Sequence, residues 1–178
     1  MIDIKLASVE DAQAILAIYA PYCATPITFE LEPPELKEMQ KRISEVLKHH
    51  IWLVAVQKKQ VVGYAYAHAF RERPAYRWSV ETSVYVGMDH QGMGIGKALY
   101  QNLFDVLKRQ GYVVAVAGIT LPNPASVKLH EHFAFKQVGV FENVGYKNGA
   151  WHNVALFQRQ LNEITNEPKE PLLLERLI

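Results

Sequence analysis

The spacing of apolar residues predicts that strands and helices alternate along the chain. Residues 2–6 alternate as in a half-buried strand, and apolar residues then recur at helical spacing after Ser8 and after Pro33-Pro34. Helical patterns follow over 94–109 and, more briefly, from Ser126 to Phe133. Apolar and β-branched runs predict further strands at residues 51–56, 61–70, 77–86, 112–119, 135–144 and 150–160. This order is typical of an α/β (α+β mixed) fold, a mixed sheet covered by helices.

Length and composition fit one folded domain followed by a short tail. The 178 residues are enough for a single core, and we assign residues 1–161 to this domain. The chain turns polar after Leu161 and ends on residues 172–178, of which five are apolar. Because leaving those side chains in water is unfavourable, we expect residues 162–178 to dock on the domain or on a partner subunit.

Charge, cysteine content and hydropathy disfavour several classes of function. A formal net charge of +1 gives no strong field for binding nucleic acid or an acidic membrane surface. The only cysteine, Cys23, allows neither an internal disulfide nor a cysteine-rich zinc site, and we expect it to be buried. The seven histidines form no pattern typical of a metal site. With no signal-peptide pattern and no apolar run of about 20 residues, the chain is expected to be cytoplasmic.

A glycine-rich turn between a predicted strand and a predicted helix is the strongest chemical signal. Residues 80–86 are β-branched and aromatic, and Gln91-Gly92-Met93-Gly94-Ile95-Gly96-Lys97 follows at the start of the helix. Glycines let the backbone approach an anion, and the free N–H groups of a helix N-terminus point at it. A Walker A loop is excluded by Gln91 and Ala98, and a Rossmann fingerprint by Lys97 where its last glycine belongs. A merely flexible connection is disfavoured, because each glycine costs about 0.5–1 kcal/mol without a backbone reason.

The Gln-x-x-Gly-x-Gly pattern at Gln91, Gly94 and Gly96 resembles the GCN5-related N-acetyltransferases. Five segments resemble the phosphinothricin and methionine sulfoximine acetyltransferase branch, in order and with family-like spacing: residues 70–76, 80–86, 121–126, 129–131 and 145–154. The resemblance implies a central mixed, mostly antiparallel sheet of about seven strands flanked by about four helices. It also implies acetyl-coenzyme A as cosubstrate, no metal, and direct transfer through a tetrahedral intermediate to the α-amino group of an L-amino acid or close analogue. Relatives further suggest a homodimer.

The resemblance places the cofactor on three segments. It implies that the backbone of Val84, Tyr85 and Val86 pairs with the pantetheine arm like an added strand. It also implies that the glycine turn binds the pyrophosphate and that Asn123 and Ser126 contact the cofactor arm. The residues of the turn are Gln91, Gly92, Met93, Gly94, Ile95, Gly96 and Lys97. Ala134 departs from the family, whose helix usually ends here on glycine, and alanine tolerates a left-handed cap poorly.

Amide formation from a thioester requires a base for the amine, a donor for the oxyanion and a proton for the leaving thiolate. Strand alternation puts Glu81 and Tyr85 on one face, and we interpret Glu81 as the general base, directly or through water. The alternative is a salt bridge between Glu81 and Arg77. A backbone N–H near Val84 or Tyr85 is the expected oxyanion donor. His130 either protonates the thiolate, relays the amine proton, or is a helix histidine with structural hydrogen bonds.

A free amino acid also presents a carboxylate, and the loop before the strand of Glu81 carries two arginines. A guanidinium of Arg71 or Arg73 could hold that carboxylate. The resemblance implies that one of them contacts the acceptor together with Ala75 and Tyr76, and we expect His152 to line the same pocket. The alternatives are a solvated basic loop and a packing role for His152. A protein or peptide N-terminal acetyltransferase and a non-catalytic acyl-coenzyme A sensor are the other functions that this sequence allows.

Overall fold

Seven strands and four α-helices follow the order that the hydrophobic pattern predicts, within residues 2–177, which the computed structural model describes. The strands are β1 (Asp3–Leu6), β2 (Trp52–Gln57), β3 (Gln60–Ala69), β4 (Ser79–Val86), β5 (Val114–Thr120), β6 (Lys136–Lys147) and β7 (Ala150–Gln160). The helices are α1 (Ala12–Tyr19), α2 (Leu36–Leu47), α3 (Ile95–Gln110) and α4 (Pro124–His132). Among the described residues, no helix has the length and apolar character needed to cross a membrane.

The strands form one mixed sheet in the order β1-β2-β3-β4-β5-β7-β6, which confirms the predicted fold class. Neighbouring strands are antiparallel, except that β4 and β5 run parallel. These two strands pair only over residues 79–81 and 114–116, whereas β4 stays paired with β3 up to Val86. The second half of β4 therefore diverges from β5, and a gap opens inside the sheet.

Helices cover both faces of the sheet and create two cores. On one face α3 packs through Leu99 and Phe104, which are at most 1% exposed. On the other face lie α1 and α2, with Ile15 and Ile43 fully buried. Cys23, just after α1, belongs to this second core with 3% of its surface exposed, so its predicted burial is confirmed.

The N-terminus of α3 lies close to β3 because Gly63 has no side chain. A β-carbon at that position would lie 2.9 Å from Ile95 Cγ2 and 3.1 Å from the Tyr85 carbonyl oxygen. Packed interiors have no room for contacts this short, so a larger residue would displace the helix or the strand. Since Gly63 pairs with Val86, this close approach puts the first turn of α3 beside the end of β4.

The start of α4 differs from the prediction, and a helix cap explains the difference. The helix begins at Pro124 rather than at Ser126. Asn123 is its N-cap, because its side-chain oxygen accepts a hydrogen bond of 3.1 Å from the Ser126 N–H. Proline suits the first helical position, where no intrahelical N–H bond is needed.

The tail contacts the domain where β4 begins and α3 ends. The Trp78 indole N–H donates to the Lys169 carbonyl at 2.8 Å. Leu174 is 7% exposed and joins the core on the α3 face. Met1 and Ile178, the outer bounds of the predicted domain and tail, lie outside the described residues.

Candidate functional site

The gap between β4 and β5 opens into a cavity of about 820 Å³. Backbone alternation decides which groups of β4 face it. The Gly87 N–H donates to the Val62 carbonyl and the Phe70 N–H to the Ser79 carbonyl, so the odd-numbered residues of β4 bond to β3. Val84 therefore turns its N–H and its carbonyl toward the gap, as a residue on an open strand edge does.

The glycine turn adopts the backbone conformation of an anion cradle. Gly92 and Gly94 have φ angles of +75° and +79°, in the left-handed region that favours glycine. Helix α3 starts directly afterwards, with the Ala98 N–H donating to the Gly94 carbonyl. Within the described chain, the N–H groups of residues 95–97 have no hydrogen-bond partner. Three free donors thus lie at the positive end of a 16-residue helix.

Most of the residues predicted to bind the cofactor line this cavity. They are Val84, Tyr85, Val86, Gln91, Gly92, Gly94, Ile95, Gly96, Lys97, Asn123 and Ser126. Met93 does not line it, and its side chain is 58% exposed. Gln91 also ties the turn to β4: its side-chain amide donates to the Tyr22 hydroxyl at 3.0 Å, which donates to the Val86 carbonyl at 2.6 Å.

His130 and Tyr100 form a buried pair in the wall of the cavity. Nδ1 of His130 lies 2.8 Å from the Ser126 carbonyl oxygen, which can only accept, so Nδ1 carries a proton. Burial lowers the pKa of His130, so the imidazole is neutral at pH 7 and its Nε2 accepts from the Tyr100 hydroxyl at 3.0 Å. Sequence reasoning missed Tyr100, because its spacing in the helix is that of an ordinary core residue.

Glu81 and Tyr85 lie on the same face of β4, as predicted, and Tyr85 packs edge-on against Tyr19 of α1 at 5.1 Å. The alternative partner of Glu81 is engaged elsewhere, because Arg77 forms its salt bridge with Glu170 at 2.5 Å. Because Tyr85 packs against α1, the face of β4 that carries Glu81 is the face that α1 and α2 cover, opposite the glycine turn and α3.

The Glu81 carboxylate lies beside the gap rather than inside the large cavity. A β-carbon on Gly118 of β5 would be 3.8 Å from Glu81 Oε1. Gly118 lines the cavity and Glu81 does not. Because Gly118 has no side chain, nothing from that residue stands between the carboxylate and the gap.

Tyr85 contributes packing to this region. Its ring stacks on that of Tyr64 at 5.4 Å, and burial raises its pKa well above the ordinary value, so the hydroxyl stays protonated. Its backbone N–H belongs to the ladder with β3, since Tyr85 pairs with Tyr64. Of the two amides that the sequence offered as oxyanion donors, the Val84 N–H is therefore the one that faces the gap.

The predicted acceptor loop lies in solvent at the turn between β3 and β4. The Arg71 guanidinium stacks 4.4 Å from the centroid of the Phe70 ring, and Tyr76 packs edge-on against the same ring. Arg73 and Ala75 are exposed. None of the four predicted residues in this loop lines the large cavity, although the loop ends only a few residues before Glu81.

The side chain of His152 forms a hydrogen bond within the hairpin of β6 and β7. Its Nε2 donates to the Lys147 carbonyl at 2.9 Å, and its ring lies 6.3 Å from that of Phe29. It does not line the large cavity, so the contacts of His152 are those of the packing alternative. Among residues 2–177, no group of three or more His, Cys, Asp or Glu side chains is arranged to hold a metal ion.

A second cavity, of about 330 Å³, lies on the face of the sheet that carries Glu81. Trp52 and Tyr66 stack in its wall with their ring centroids 4.2 Å apart. His68 also lines it and is the cross-strand neighbour of Glu81. This face therefore has space for a small group beside the cross-strand neighbour of Glu81.

Comparison with known proteins gives matches over most of the chain. The family model described as an acetyltransferase (GNAT) domain matches residues 4–156. The phosphinothricin N-acetyltransferase of Streptomyces viridochromogenes is 37% identical over 159 residues, which are 89% of this chain and 87% of that protein. An L-methionine sulfoximine/L-methionine sulfone acetyltransferase of Salmonella typhimurium is 40% identical over 111 residues, 62% of this chain and 65% of that protein. The crystal structure of a GNAT superfamily phosphinothricin acetyltransferase from Sinorhizobium meliloti, in complex with AcCoA, matches with a TM-score of 0.91 and 35% identity, over 95% of this chain and 94% of that one.

Proposed function

Because the chain belongs to the acetyltransferase (GNAT) family, we propose that it transfers an acetyl group from acetyl-coenzyme A to the α-amino group of a small L-amino acid or analogue. The observation that carries this proposal is the gap between β4 and β5, which has free N–H donors at one end and Glu81 beside it on the opposite face. Relatives named for phosphinothricin and methionine sulfoximine support the class of acceptor.

The large cavity fits acetyl-coenzyme A in size and chemistry. Its volume of about 820 Å³ suits a long, narrow ligand. The N–H groups of residues 95–97 would hold the diphosphate, and Lys97 would add a positive charge. The Val84 carbonyl and the Val86 N–H, which share the open edge of β4, would pair with the pantetheine amides as a neighbouring strand does, and the Val84 N–H stays free for the thioester oxygen. Asn123 and Ser126 line the same space. This placement puts the thioester beside Val84.

The transfer needs a proton acceptor and an oxyanion donor. The amino nitrogen attacks the thioester carbonyl carbon, the carbon–sulfur bond breaks, and coenzyme A leaves as a thiolate that solvent protonates. Glu81 takes the proton that the amine loses, directly or through a water molecule. The Val84 N–H stabilises the charge on the carbonyl oxygen. Nε2 of His130 carries no proton to donate to the thiolate. It accepts a hydrogen bond from the Tyr100 hydroxyl, and His130 thereby orients Tyr100.

Arginines of the loop between β3 and β4 are the proposed contacts for the acceptor carboxylate. Within residues 2–177, neither Arg71 nor Arg73 forms a salt bridge. A guanidinium can bind a carboxylate through two parallel hydrogen bonds, which orients the amino acid as well as holding it. Ala75 and Tyr76 would flank this contact. The acceptor side chain would then point toward the second cavity, beside His68.

Two copies of the chain are proposed to associate in the cytoplasm through the outer edge of the sheet. β6 is an edge strand, and it exposes apolar side chains together with β7. They are Val138, Val140, Phe141, Val144, Tyr146 and Trp151, each between 38% and 63% exposed. Such a cluster on an open edge is typical of a contact surface between proteins. Light scattering after gel filtration should give twice the 20.3 kDa of one chain, and a monomer at micromolar concentration would contradict the dimer.

Release of free thiol from acetyl-coenzyme A tests the function directly. The acceptors are the L-amino acids, methionine sulfone, methionine sulfoximine and phosphinothricin, each beside an amine that lacks the carboxylate. We expect acceptor-dependent release, fastest with one of the amino acids or analogues. Absence of calorimetric heat with millimolar coenzyme A would refute the proposal, and release with short peptides alone would point to N-terminal protein acetylation.

A further inference from the structure

One buried lysine connects the two halves of the divided sheet on the face that carries Glu81. Lys147, the last residue of β6, is 4% exposed. Its ammonium donates to the Thr28 carbonyl at 2.7 Å and to the Glu30 carbonyl at 2.6 Å. Both carbonyls belong to residues 24–31, which we call the bridging loop. This loop lies between α1 and α2, which pack on β2 and β3, whereas β6 pairs with β7 and β7 with β5.

The hairpin that carries Lys147 is shaped to meet the bridging loop. β7 pairs with β5 only from Val154 onward, so its first residues and the end of β6 extend past the sheet. At the tip, the Asn148 side chain donates to the Ala24 carbonyl at 3.0 Å. The Phe29 ring covers Gly145 so closely that a β-carbon there would overlap it. Three contacts along the hairpin thus hold one loop.

The bridging loop is also held by α1 and α2, the helices that cover the first half of the sheet. The Tyr19 hydroxyl shares a hydrogen bond of 2.7 Å with the Thr28 hydroxyl. The Arg42 guanidinium binds both carboxylate oxygens of Glu30, at 2.6 and 3.1 Å, and holds the pKa of that carboxyl below its usual value. Glu30 therefore stays charged, and its backbone carbonyl is fixed where Lys147 reaches it.

A buried ammonium needs a specific explanation. Removing an ammonium from water is unfavourable unless its donors are satisfied, and an apolar residue would fill the same space without that cost. The lysine side chain is long enough to cross the divided sheet and to donate two hydrogen bonds to backbone carbonyls there. The part of the loop that it fixes is adjacent to Ile27, which lines the large cavity together with Tyr22. Because Tyr22 belongs to the core on the Glu81 face, the loop borders the cavity from that face.

We propose that Lys147 is a positioning residue for the acceptor. By holding the bridging loop against the end of β6, it sets the width of the site on the Glu81 face, where the amino acid enters. The cradle for the diphosphate lies on the opposite face, at the start of α3, and among the described residues no hydrogen bond joins residues 92–97 to the bridging loop. The inference rests on the proposed function, because it assigns this face to the acceptor.

The test is the substitution Lys147→Met, which keeps an unbranched side chain of nearly the same length and removes both hydrogen bonds. Lys136→Met, an exposed lysine at the other end of β6, is the matched control. We expect Lys147→Met to raise the KM for the amino acid about tenfold or more, as loss of a charge-assisted hydrogen bond does. The KM for acetyl-coenzyme A should stay within about twofold of wild type. Lys147→Arg should restore part of the loss.

Amide hydrogen exchange supplies a second measurement that does not need activity. Residues 24–31 should exchange faster in Lys147→Met, while residues 92–99 keep the wild-type rate. An unchanged acceptor KM, or equal increases in both KM values, would overturn the proposal. If Lys147→Met does not fold, Asn148→Asp replaces it: the left-handed backbone at that position is kept and the donor to Ala24 is lost, and an unchanged acceptor KM there would also overturn it.

The two proposals fail in different ways. If the wild-type protein acetylates no amino acid, the proposed function is refuted. Faster exchange of the bridging loop, with unchanged binding of acetyl-coenzyme A by calorimetry, would still support the role of Lys147 in holding the loop. Unchanged exchange in Lys147→Met would refute that role even if the enzyme is active on amino acids.

Discussion

The Tyr100 hydroxyl donates to Nε2 of His130 at 3.0 Å, while Nδ1 of the same imidazole donates to the Ser126 carbonyl at 2.8 Å. Two fixed partners select one tautomer and one ring orientation. The aromatic rings of Tyr100 and Phe135 enclose the imidazole at 5.3 and 5.1 Å. The pair is therefore built to keep a rigid wall in the cavity, and a proton is not available on Nε2.

This geometry predicts that His130→Gln keeps most of the activity. A glutamine oxygen can still accept from Tyr100, so kcat should fall by less than about tenfold, whereas loss of a general acid costs about 10²–10⁴. His130→Leu, which leaves the Tyr100 hydroxyl without its acceptor, should lose more. Steady-state kinetics with saturating acetyl-coenzyme A measures both, and a loss of about 100-fold or more in His130→Gln would restore His130 as the acid.

His130 also makes stability depend on pH. Burial lowers its pKa in the folded chain below the value of about 6.5 expected in the unfolded chain. Between these two values the unfolded chain binds more protons, so this contribution to stability is present above pH 6.5 and is lost as the pH falls toward the folded value. Urea denaturation at pH 7 and pH 5 should show a smaller change in His130→Gln than in wild type. An equal change in both would contradict the prediction.

Glu81→Gln should abolish most turnover without affecting acetyl-coenzyme A. We expect kcat to fall about 10²–10⁴-fold at pH 7, because the amine loses its proton acceptor. The deficit should shrink at high pH, where the amine is deprotonated by solvent. Glu72→Gln, an exposed carboxylate in the loop before β4, is the control and should behave as wild type. Undiminished turnover of Glu81→Gln across the pH range would exclude Glu81 as the base.

Arg73→Ala should distinguish amino acids from simple amines. Loss of a guanidinium–carboxylate contact should raise the KM for amino acids about tenfold to hundredfold and leave amines without a carboxylate nearly unchanged. Arg77→Ala is the matched control, because Arg77 binds Glu170 of the tail. Equal effects of Arg73→Ala on the two kinds of acceptor would refute the carboxylate contact.

Ala134→Gly should stabilise the protein. Ala134 has a φ angle of +60° at the end of α4, where the Phe135 N–H donates to the His130 carbonyl at 3.0 Å. This left-handed position costs an alanine about 1 kcal/mol that glycine avoids, so the free energy of unfolding should rise by about that amount. Ala125→Gly, in the first turn of the same helix where the backbone is right-handed, should lower it instead. Urea denaturation measures the free energy of unfolding of both variants, and a lower value for Ala134→Gly than for wild type would contradict this prediction.

Local patterns in the sequence predict the elements and the glycine turn, because both depend on residues close together in the chain. Alternation placed Glu81 and Tyr85 on one face of β4, and the structure confirms this. The turn at Gly92 and Gly94 was recognisable because left-handed backbone conformations select glycine. The sequence pattern places the start of α4 too late, because a serine in the first turn resembles a cap when the true cap is Asn123.

Contacts between distant parts of the chain could not be predicted. Tyr100 and His130 are 30 residues apart, and neither helix pattern indicates that their side chains meet. Lys147 is a second example. In the sequence it is a turn residue, and its burial depends on hydrogen bonds to carbonyls of residues about 117 positions earlier. The arginines of the loop between β3 and β4 are assigned to the acceptor only through the resemblance to the family, because an exposed arginine pair has no local signature.

The buried position of Cys23 provides a chemical probe of this part of the molecule. It is the only thiol of the chain, 3% exposed, and burial raises its pKa, so it reacts poorly while the fold is closed. It directly precedes Ala24, whose carbonyl the β6–β7 hairpin holds. Modification of this sulfur therefore requires that the region detach from the hairpin or open from its core. The rate at which a thiol reagent labels the unmodified protein reports how often this happens, without any engineered label.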